Sequence, residues 1–172
     1  MNGIQDVKLT GLAAYLPTIQ TASIDQYEAI YEANRDRIYS LAFWMSDNEL
    51  AAEETLGRVF LRAFSMTDAP SAEMLDRSLL RELRDTMAIG SLTLEVANAT
   101  QELGIRHNTK RVHLERAVVE LPATERLIFC MHDGEGYTHE RIARTLGISE
   151  EQSILGLHQA RLRVRELVAK MR

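Results

Sequence analysis

The feature that most constrains the fold is a series of helix start and stop signals in the last third of the chain. Pro122 suits the first turn of a helix, where the N–H that proline lacks would have no partner. Thr138 is a good N-cap for a second helix, and Gly147 can adopt the left-handed conformation that ends it. Ser149 and Gln152, three residues apart, form a capping box for a third helix. The segment therefore predicts helices joined by tight turns.

The predicted helices span Ala123–Met131, His139–Leu146 and a longer basic stretch that continues to Arg165. The two glycines in Asp133–Gly136 break the chain between the first two helices, and Ala143 is small enough to let helices cross closely. This is the helix-turn-helix pattern, in which the second helix of the pair can enter the major groove of DNA. DNA binding is therefore the first hypothesis for function.

At these residues the chain resembles region 4 of bacterial sigma-70-type factors. The residues on which the resemblance rests are Leu121-Pro122, Arg126, Gly136-Tyr137-Thr138, Ile142-Ala143, Leu146-Gly147-Ile148-Ser149, Leu157 and Ala160-Arg161. The short, two-domain extracytoplasmic-function (ECF) sigma factors are the closest group.

A second resemblance lies upstream, where Tyr31–Phe64 looks like region 2 of the same group. Its residues are Tyr39, Leu41-Ala42, Ala52-Glu53-Glu54, Val59-Phe60 and Arg62-Ala63. The two resemblances cover over half of the chain, in the order that the family uses. The chain is therefore identified as a divergent member of the sigma-70 family.

Composition and patterning predict an all-α fold. The 172 residues include nine glycines and three prolines, and no strict strand alternation persists. With the resemblance, this predicts two small helical domains in series: an N-terminal extension 1–24, a region-2-like bundle 25–90, a linker 91–110 and a region-4-like bundle 111–172. Further helices are predicted at Ile24–Met45, Glu49–Phe64 and Ala72–Ile89, and Arg111–Glu120 opens the second domain. Leu92–Leu103 is either another helix or linker, and the join at Gly104–Lys110 allows a compact or an open arrangement.

Several other classes of protein are disfavoured. The single Cys130 excludes an internal disulfide and suits a reducing cytosol, and no apolar run is long enough to cross a membrane. The five histidines have no metal-ligand spacing, and no catalytic set of nucleophile and base can be assembled. We therefore expect a cytoplasmic protein that is not an enzyme and needs no cofactor or metal.

The region-2 resemblance implies docking on core RNA polymerase through the helix Glu49–Phe64. In the family this contact is made by an acidic and apolar helix face. The implied polymerase-binding residues are Glu49, Glu53, Glu54, Gly57, Arg58, Phe60 and Leu61. Where the family usually has Gln-Glu, this chain has Gly57-Arg58, which replaces an amide and reverses a charge in the docking surface.

The region-4 resemblance implies binding to the promoter −35 element. The candidate DNA-binding residues are Thr138, Gln152, Ser153, Gly156, His158, Gln159, Arg161 and Arg163. Where the family tends to have Thr-Val-Lys-Ser-Arg, this chain has Gln152-Ser153-Ile154-Leu155-Gly156, so few donors for base edges remain. Exposed Ile154 and Leu155 would instead suit a protein-binding patch. Weak, altered or absent DNA reading is expected.

Charge and aromatic content separate the two halves. Residues 101–172 contain 12 basic and 10 acidic residues, a net charge of +2, within a chain of net charge −5. Ser71–Gly90 corresponds to the segment that opens promoters in the family, yet it contains no Phe, Tyr or Trp to stack on a flipped base. Its arginines are expected to pair with nearby acids on the helix surface.

Three functional hypotheses follow. The first is a divergent sigma factor that binds core RNA polymerase and promoter DNA. The second is a sigma-like regulator that binds polymerase or an anti-sigma partner without directing promoter opening. The third is a helix-turn-helix regulator that has kept DNA binding and lost polymerase docking.

Overall fold

The computed structural model describes residues 15–94 and 110–171, and in these ranges all regular structure is helical, which confirms the all-α prediction. No described helix combines the length and apolar character that a bilayer crossing requires. The helices are α1 Tyr15–Ser46, α2 Glu49–Met66, α3 Ala72–Arg84, α4 Arg111–Val119, α5 Ala123–Phe129, α6 His139–Leu146 and α7 Glu150–Lys170, with a π-helical turn Cys130–Gly134 after α5.

Helices α1, α2 and α3 form the first bundle. Asn48 caps α2 by accepting a hydrogen bond from the N–H of Ala51 at 2.9 Å. The predicted helix at Ile24 begins earlier, at Tyr15, so it includes part of the predicted extension. Predictions for residues 1–14, 95–103 and 104–109 lie outside the described residues. The buried core of this bundle contains Ile38, Leu41, Met45, Ala52, Val59, Ala63, Leu75, Leu79 and Leu83.

Helix α3 ends at Arg84 rather than at the predicted Ile89. The Thr86 hydroxyl donates to the carbonyl of Leu83, which is a side-chain bond that competes with helix continuation. Beyond it the chain turns so that Ile89 is buried and its carbonyl accepts a hydrogen bond from Arg84. The residues after α3 therefore connect to the second bundle instead of prolonging the helix.

Helices α4 to α7 form the second bundle, and its predicted caps are confirmed. Thr138 accepts the N–H of Arg141, and Gly147 has φ 72° at the end of α6. Ser149 and Gln152 exchange the two hydrogen bonds of the capping box at 2.9 and 3.1 Å. The buried core of the bundle contains Leu121, Leu127, Ile128, Met131, Ile142, Leu146, Leu157, Ala160 and Val164.

The two bundles pack directly against each other. Helix α3 contacts α6, and α1 contacts α4, α5 and the π-helical turn. The buried apolar residues of both bundles form one connected cluster. Of the two arrangements that the sequence allowed, the structure therefore has the compact one.

Candidate functional site

The outward face of α2 is acidic with exposed leucines. Leu61 is 74% exposed and Leu50 is 65% exposed, which is unusual for large apolar side chains. Of the predicted docking residues, the exposed ones are Glu49, Glu53, Glu54, Gly57, Arg58 and Leu61. Phe60 differs, because it is 5% exposed and packs edge-on against Tyr31 in the core. It is a core residue in this structure and is not available for surface contact.

Arg58, the charge reversal on this face, is paired within the protein. Its Nε donates to buried Glu82 of α3 at 3.0 Å, and Arg62 donates two hydrogen bonds to the other oxygen of that carboxylate. Arg58 also lies 3.6 Å from Glu54. The positive charge is therefore directed partly inward, and the exposed surface beside it remains acidic.

A groove of about 410 Å³ separates α1 from this face of α2. The residues that line it are Tyr31, Arg35, Asp36, Tyr39, Glu53, Leu56 and Gly57. A Cβ atom added at Gly57 would meet nothing within 4 Å, so the surface is open at that point. The face is therefore concave beside its acidic ridge, and a partner side chain has room to enter.

Helix α7 presents a mixed face outward. Ile154 is 51% exposed and Leu155 is 38% exposed, and both lie beside exposed Gln152 and His158. Gln152 is also engaged in the capping box through its side-chain oxygen. An apolar pair thus occupies the centre of the surface on which DNA-reading donors were expected.

Three predicted DNA-binding residues face the interior instead. Ser153 is fully buried with its Oγ 3.0 Å from Nδ1 of His139, and Gln159 is 5% exposed. A Cβ at buried Gly156 would lie 2.7 Å from Ile128 Cδ1 and 2.8 Å from a methyl of Leu92. Helical periodicity accounts for Ser153 and Gly156, because they share the inward stripe of α7 with Leu157 and Ala160. These side chains cannot reach a groove from this arrangement.

The predicted phosphate contacts are internally paired. Arg161 donates two hydrogen bonds to Asp133 of the π-helical turn, at 2.9 and 2.6 Å. Partial burial raises the pKa of Asp133, but the hydrogen bonds from Arg161 and His132 outweigh that effect and lower it. Arg163 donates to Glu166 at 3.0 Å. Thr138 is exposed and serves as the N-cap of α6.

A buried carboxylate joins the two bundles, and the sequence analysis missed it. Asp76 of α3 is fully buried and accepts hydrogen bonds from Arg37 of α1, from Arg141 of α6 at 2.6 and 3.0 Å, and from the Tyr137 hydroxyl at 2.7 Å. The Arg141 guanidinium also lies 3.9 Å from the centre of the Tyr137 ring. Burial and the adjacent Asp76 carboxylate raise the pKa of Tyr137, so its hydroxyl remains a donor. We call these four residues the Asp76 cluster.

The arginines of α3 were expected to pair with nearby acids on the surface of the same helix. For the buried acids of α3 this expectation is wrong. Asp76 and Glu82 pair with arginines of other helices rather than with those of α3. Their burial could have been predicted from their positions in the sequence. Both acids share the face of α3 that contains Leu75, Leu79 and Leu83. A charged residue on a buried face indicates a partner on another element.

A second buried carboxylate holds the chain that leaves the first bundle. Glu125 of α5 is fully buried and accepts the N–H groups of Thr93 at 2.5 Å and of Leu94 at 2.7 Å. The neighbouring Thr124 hydroxyl accepts the N–H of Gly90 at 3.0 Å. Residues 90–94, which we call the strap, are thereby fixed to α5 at the start of the predicted linker.

Arginines also bond to helix-end carbonyls across the interface. Arg126 donates to the carbonyls of Leu121 and of Met45, and the latter lies in the last turn of α1. Arg84 donates to the carbonyl of Leu146 at the end of α6. The bonds to Met45 and Leu146 satisfy carbonyls in last helical turns, which lack a partner within their own helix. Arg126, one of the residues behind the family resemblance, thus has a structural role here.

Chemical reactivity is low at the one cysteine. Cys130 is buried, and that burial raises the pKa of its thiol to about 12. In residues 15–94 and 110–171, no three His, Cys, Asp or Glu side chains are grouped so that they could hold a metal ion.

Comparison with known proteins agrees with this architecture. A family model described as Sigma-70, region 4, matches residues 101–164. The ECF RNA polymerase sigma factor SigE of Mycolicibacterium smegmatis is 24% identical over 176 residues, which cover 94% of this chain and 68% of that protein. The sigma factor RpoE of Bartonella quintana, solved with the anti-sigma factor NepR, has a similar fold: the TM-score is 0.59 at 17% identity, over 85% of this chain and 98% of RpoE. Together these matches place a sigma-70 region 4 at residues 101–164 and support a divergent, ECF-type member of the sigma-70 family.

Proposed function

We propose that this protein is an ECF-type transcription initiation factor that docks on core RNA polymerase through the outward face of α2. The observation that favours this function is the exposed acidic ridge of α2, with Glu53 and Glu54 beside the groove at Gly57. The ridge also contains Leu50 and Leu61, whose exposed apolar surface suits burial against another helix. In such a contact the acidic side chains attract positive charge on the partner, and the apolar side chains between them are removed from water.

The domain bounds are proposed as 25–90 and 111–172, with promoter DNA as a weak ligand of the second domain. An anti-sigma protein is a further proposed partner, because the similar fold of RpoE was solved with one. The role is non-enzymatic, and its proposed location is the cytoplasm.

Reversing the acidic ridge is the direct test of docking. The double variant Glu53→Lys, Glu54→Lys is expected to reduce capture of purified core polymerase about tenfold or more, which corresponds to at least about 1.4 kcal/mol. Both side chains are exposed, so the fold should tolerate the change. The double variant Glu28→Lys, Glu32→Lys on exposed positions of α1 makes the same change in charge elsewhere and should keep capture. Equal capture by both double variants would contradict the docking assignment.

A second candidate is a sigma-like regulator that binds polymerase without opening promoters. It is favoured by α7, where Ile154 and Leu155 occupy the exposed centre and Arg161 and Arg163 are paired with acids. It is also favoured by α3, which has no aromatic residue to hold a flipped base. Reconstituted transcription separates the two, because only the initiation factor yields promoter-dependent transcripts with core polymerase.

Binding of promoter DNA by α7 can be measured separately from polymerase docking. If α7 holds promoter DNA, Arg161→Ala with Arg163→Ala should weaken retention and lower the magnitude of the salt slope, log K against log salt concentration, by about 2, since each phosphate contact contributes about 0.9. Arg77→Ala with Arg81→Ala, two exposed arginines of α3, is the matched control. An unchanged slope in the α7 variant would remove this helix from the DNA-binding site.

A further inference from the structure

The strap, residues 90–94, is attached to the second bundle rather than to the first. Each hydrogen bond that the structure describes between the strap and a side chain goes to Thr124 or Glu125 of α5. Leu92 packs over Gly156 of α7, where an added Cβ would lie 2.8 Å from one of the leucine methyl groups. By its contacts the strap therefore belongs to the second bundle, although it directly follows the first bundle in the sequence.

A different set of contacts joins the two bundles. It includes the Asp76 cluster and the hydrogen bonds from Arg84 and Arg126 to helix-end carbonyls of the opposite bundle. None of these bonds involves the strap, so they can break while the strap stays bound to α5. Residues 85–89, which we call the hinge, are then the free length of chain between α3 and the strap.

The attachment of the strap determines how far the two bundles can move apart. Gly90 lies six residues beyond Arg84, whereas α4 begins at Arg111, which lies 27 residues beyond Arg84. At about 3.4 Å per residue, a fully extended chain spans roughly 20 Å in the first case and roughly 90 Å in the second. Releasing the strap therefore lengthens the connection between the bundles roughly fourfold.

We propose that Glu125 sets the reach between the two bundles by holding the strap on α5. Its carboxylate is fully buried and accepts the N–H groups of two successive strap residues, Thr93 and Leu94. While these bonds hold, the connection between the bundles is the hinge at 85–89 rather than the predicted linker at 91–110. The use of this reach rests on the proposed function: the first bundle docks on polymerase and the second holds DNA, so the reach limits how far apart these two contacts can lie.

The test measures the distance between the two ends of the hinge in the full chain. Spin labels are attached at Asp85→Cys and Glu120→Cys, both at exposed positions, and pulsed electron spin resonance gives the distance distribution. The native Cys130 is buried and stays unlabelled. In the Asp76→Asn background, where the Asp76 cluster has lost its central charge, the distance should increase by no more than roughly 20 Å, the length of the extended hinge.

Releasing the strap should remove this limit. Asp76→Asn with Glu125→Ala should give increases well beyond roughly 20 Å, because the chain up to α4 is then free to extend. Thr93→Pro removes one of the two N–H donors and is a second releasing variant in the same background. The matched control is Asp76→Asn with Glu140→Ala, which removes an exposed carboxylate of α6 that lies beside Arg144, and it should keep the limit.

A longer hinge tests whether the bundles separate at all. Insertion of about 20 Gly and Ser residues after Met87, with Asp76→Asn and an intact Glu125, should also give distances beyond the limit. The proposal is overturned if Asp76→Asn alone already exceeds the limit, if release of the strap does not extend the distances, or if the insertion variant stays compact. Neither polymerase nor DNA takes part, so failure here is distinct from failure of the proposed docking.

Discussion

Replacing Asp76 by alanine is expected to lower the free energy of unfolding by about 3–5 kcal/mol, the cost of removing one member of a buried ionic group. The carboxylate is fully buried and accepts hydrogen bonds from Arg37, Arg141 and Tyr137. Without it, two guanidinium groups remain close together and partly buried, with no charge between them. Urea unfolding followed by circular dichroism at 222 nm measures the loss.

The same substitution should also uncouple the bundles. Asp76 lies on α3, whereas Arg141 lies on α6, so the contact joins the two halves of the molecule. A single unfolding transition should therefore separate into two in the variant. Asp76→Asn keeps the volume and removes the charge, so a comparable loss in that variant would attribute the effect to charge rather than to a cavity.

The matched control is another ion pair between the same two helices. Arg144 of α6 lies 3.2 Å from Glu73 of α3, and both side chains are more than half exposed. Arg144→Ala should cost less than about 1 kcal/mol, because solvent screens the pair. If the Arg144 and Asp76 variants had similar stabilities, burial of the Asp76 cluster would not be the source of its effect.

The part of the fold that could be predicted from the sequence is the part that is decided locally. The caps at Thr138, Gly147 and Ser149 act within one helical turn, so residue types at fixed offsets were enough to place α6 and the start of α7. The path that the chain takes after α3 was not predictable in this way. It depends on Arg84 and Gly90, whose partners Leu146 and Thr124 are remote in sequence.

The candidate site shows the same division. The candidate DNA-binding positions on α7 follow from a family pattern. Which of them are exposed depends on how α7 is rotated about its own axis against the rest of its bundle. Ile154 and His158 point outward, whereas Ser153 and Gln159 do not. The pairing of Arg161 with Asp133 adds a contact that no local pattern contains, since the two residues are separated by α6. Which DNA-directed side chains are accessible could therefore not be read from residue types alone.

Replacing Glu125 by alanine is the second change with a large expected effect. Hydrogen bonds to a buried charged group contribute about 1.5–3 kcal/mol each, and Glu125 accepts the N–H groups of Thr93 and Leu94. Part of that energy returns when water solvates the freed N–H groups, so we expect a loss of about 3 kcal/mol in the free energy of unfolding. Urea unfolding measures that loss.

The release of the strap can be observed separately from global stability. Amide hydrogen exchange at Thr93 and Leu94 should become fast in Glu125→Ala under conditions in which the cores of both bundles remain protected. Glu125→Gln keeps an acceptor oxygen and should retain part of the protection. Leu92 packs over Gly156, so a released strap would also uncover the inward side of α7 near its middle. Protection of the strap that survives Glu125→Ala would show that Leu92 packing, rather than the carboxylate, holds the strap in place.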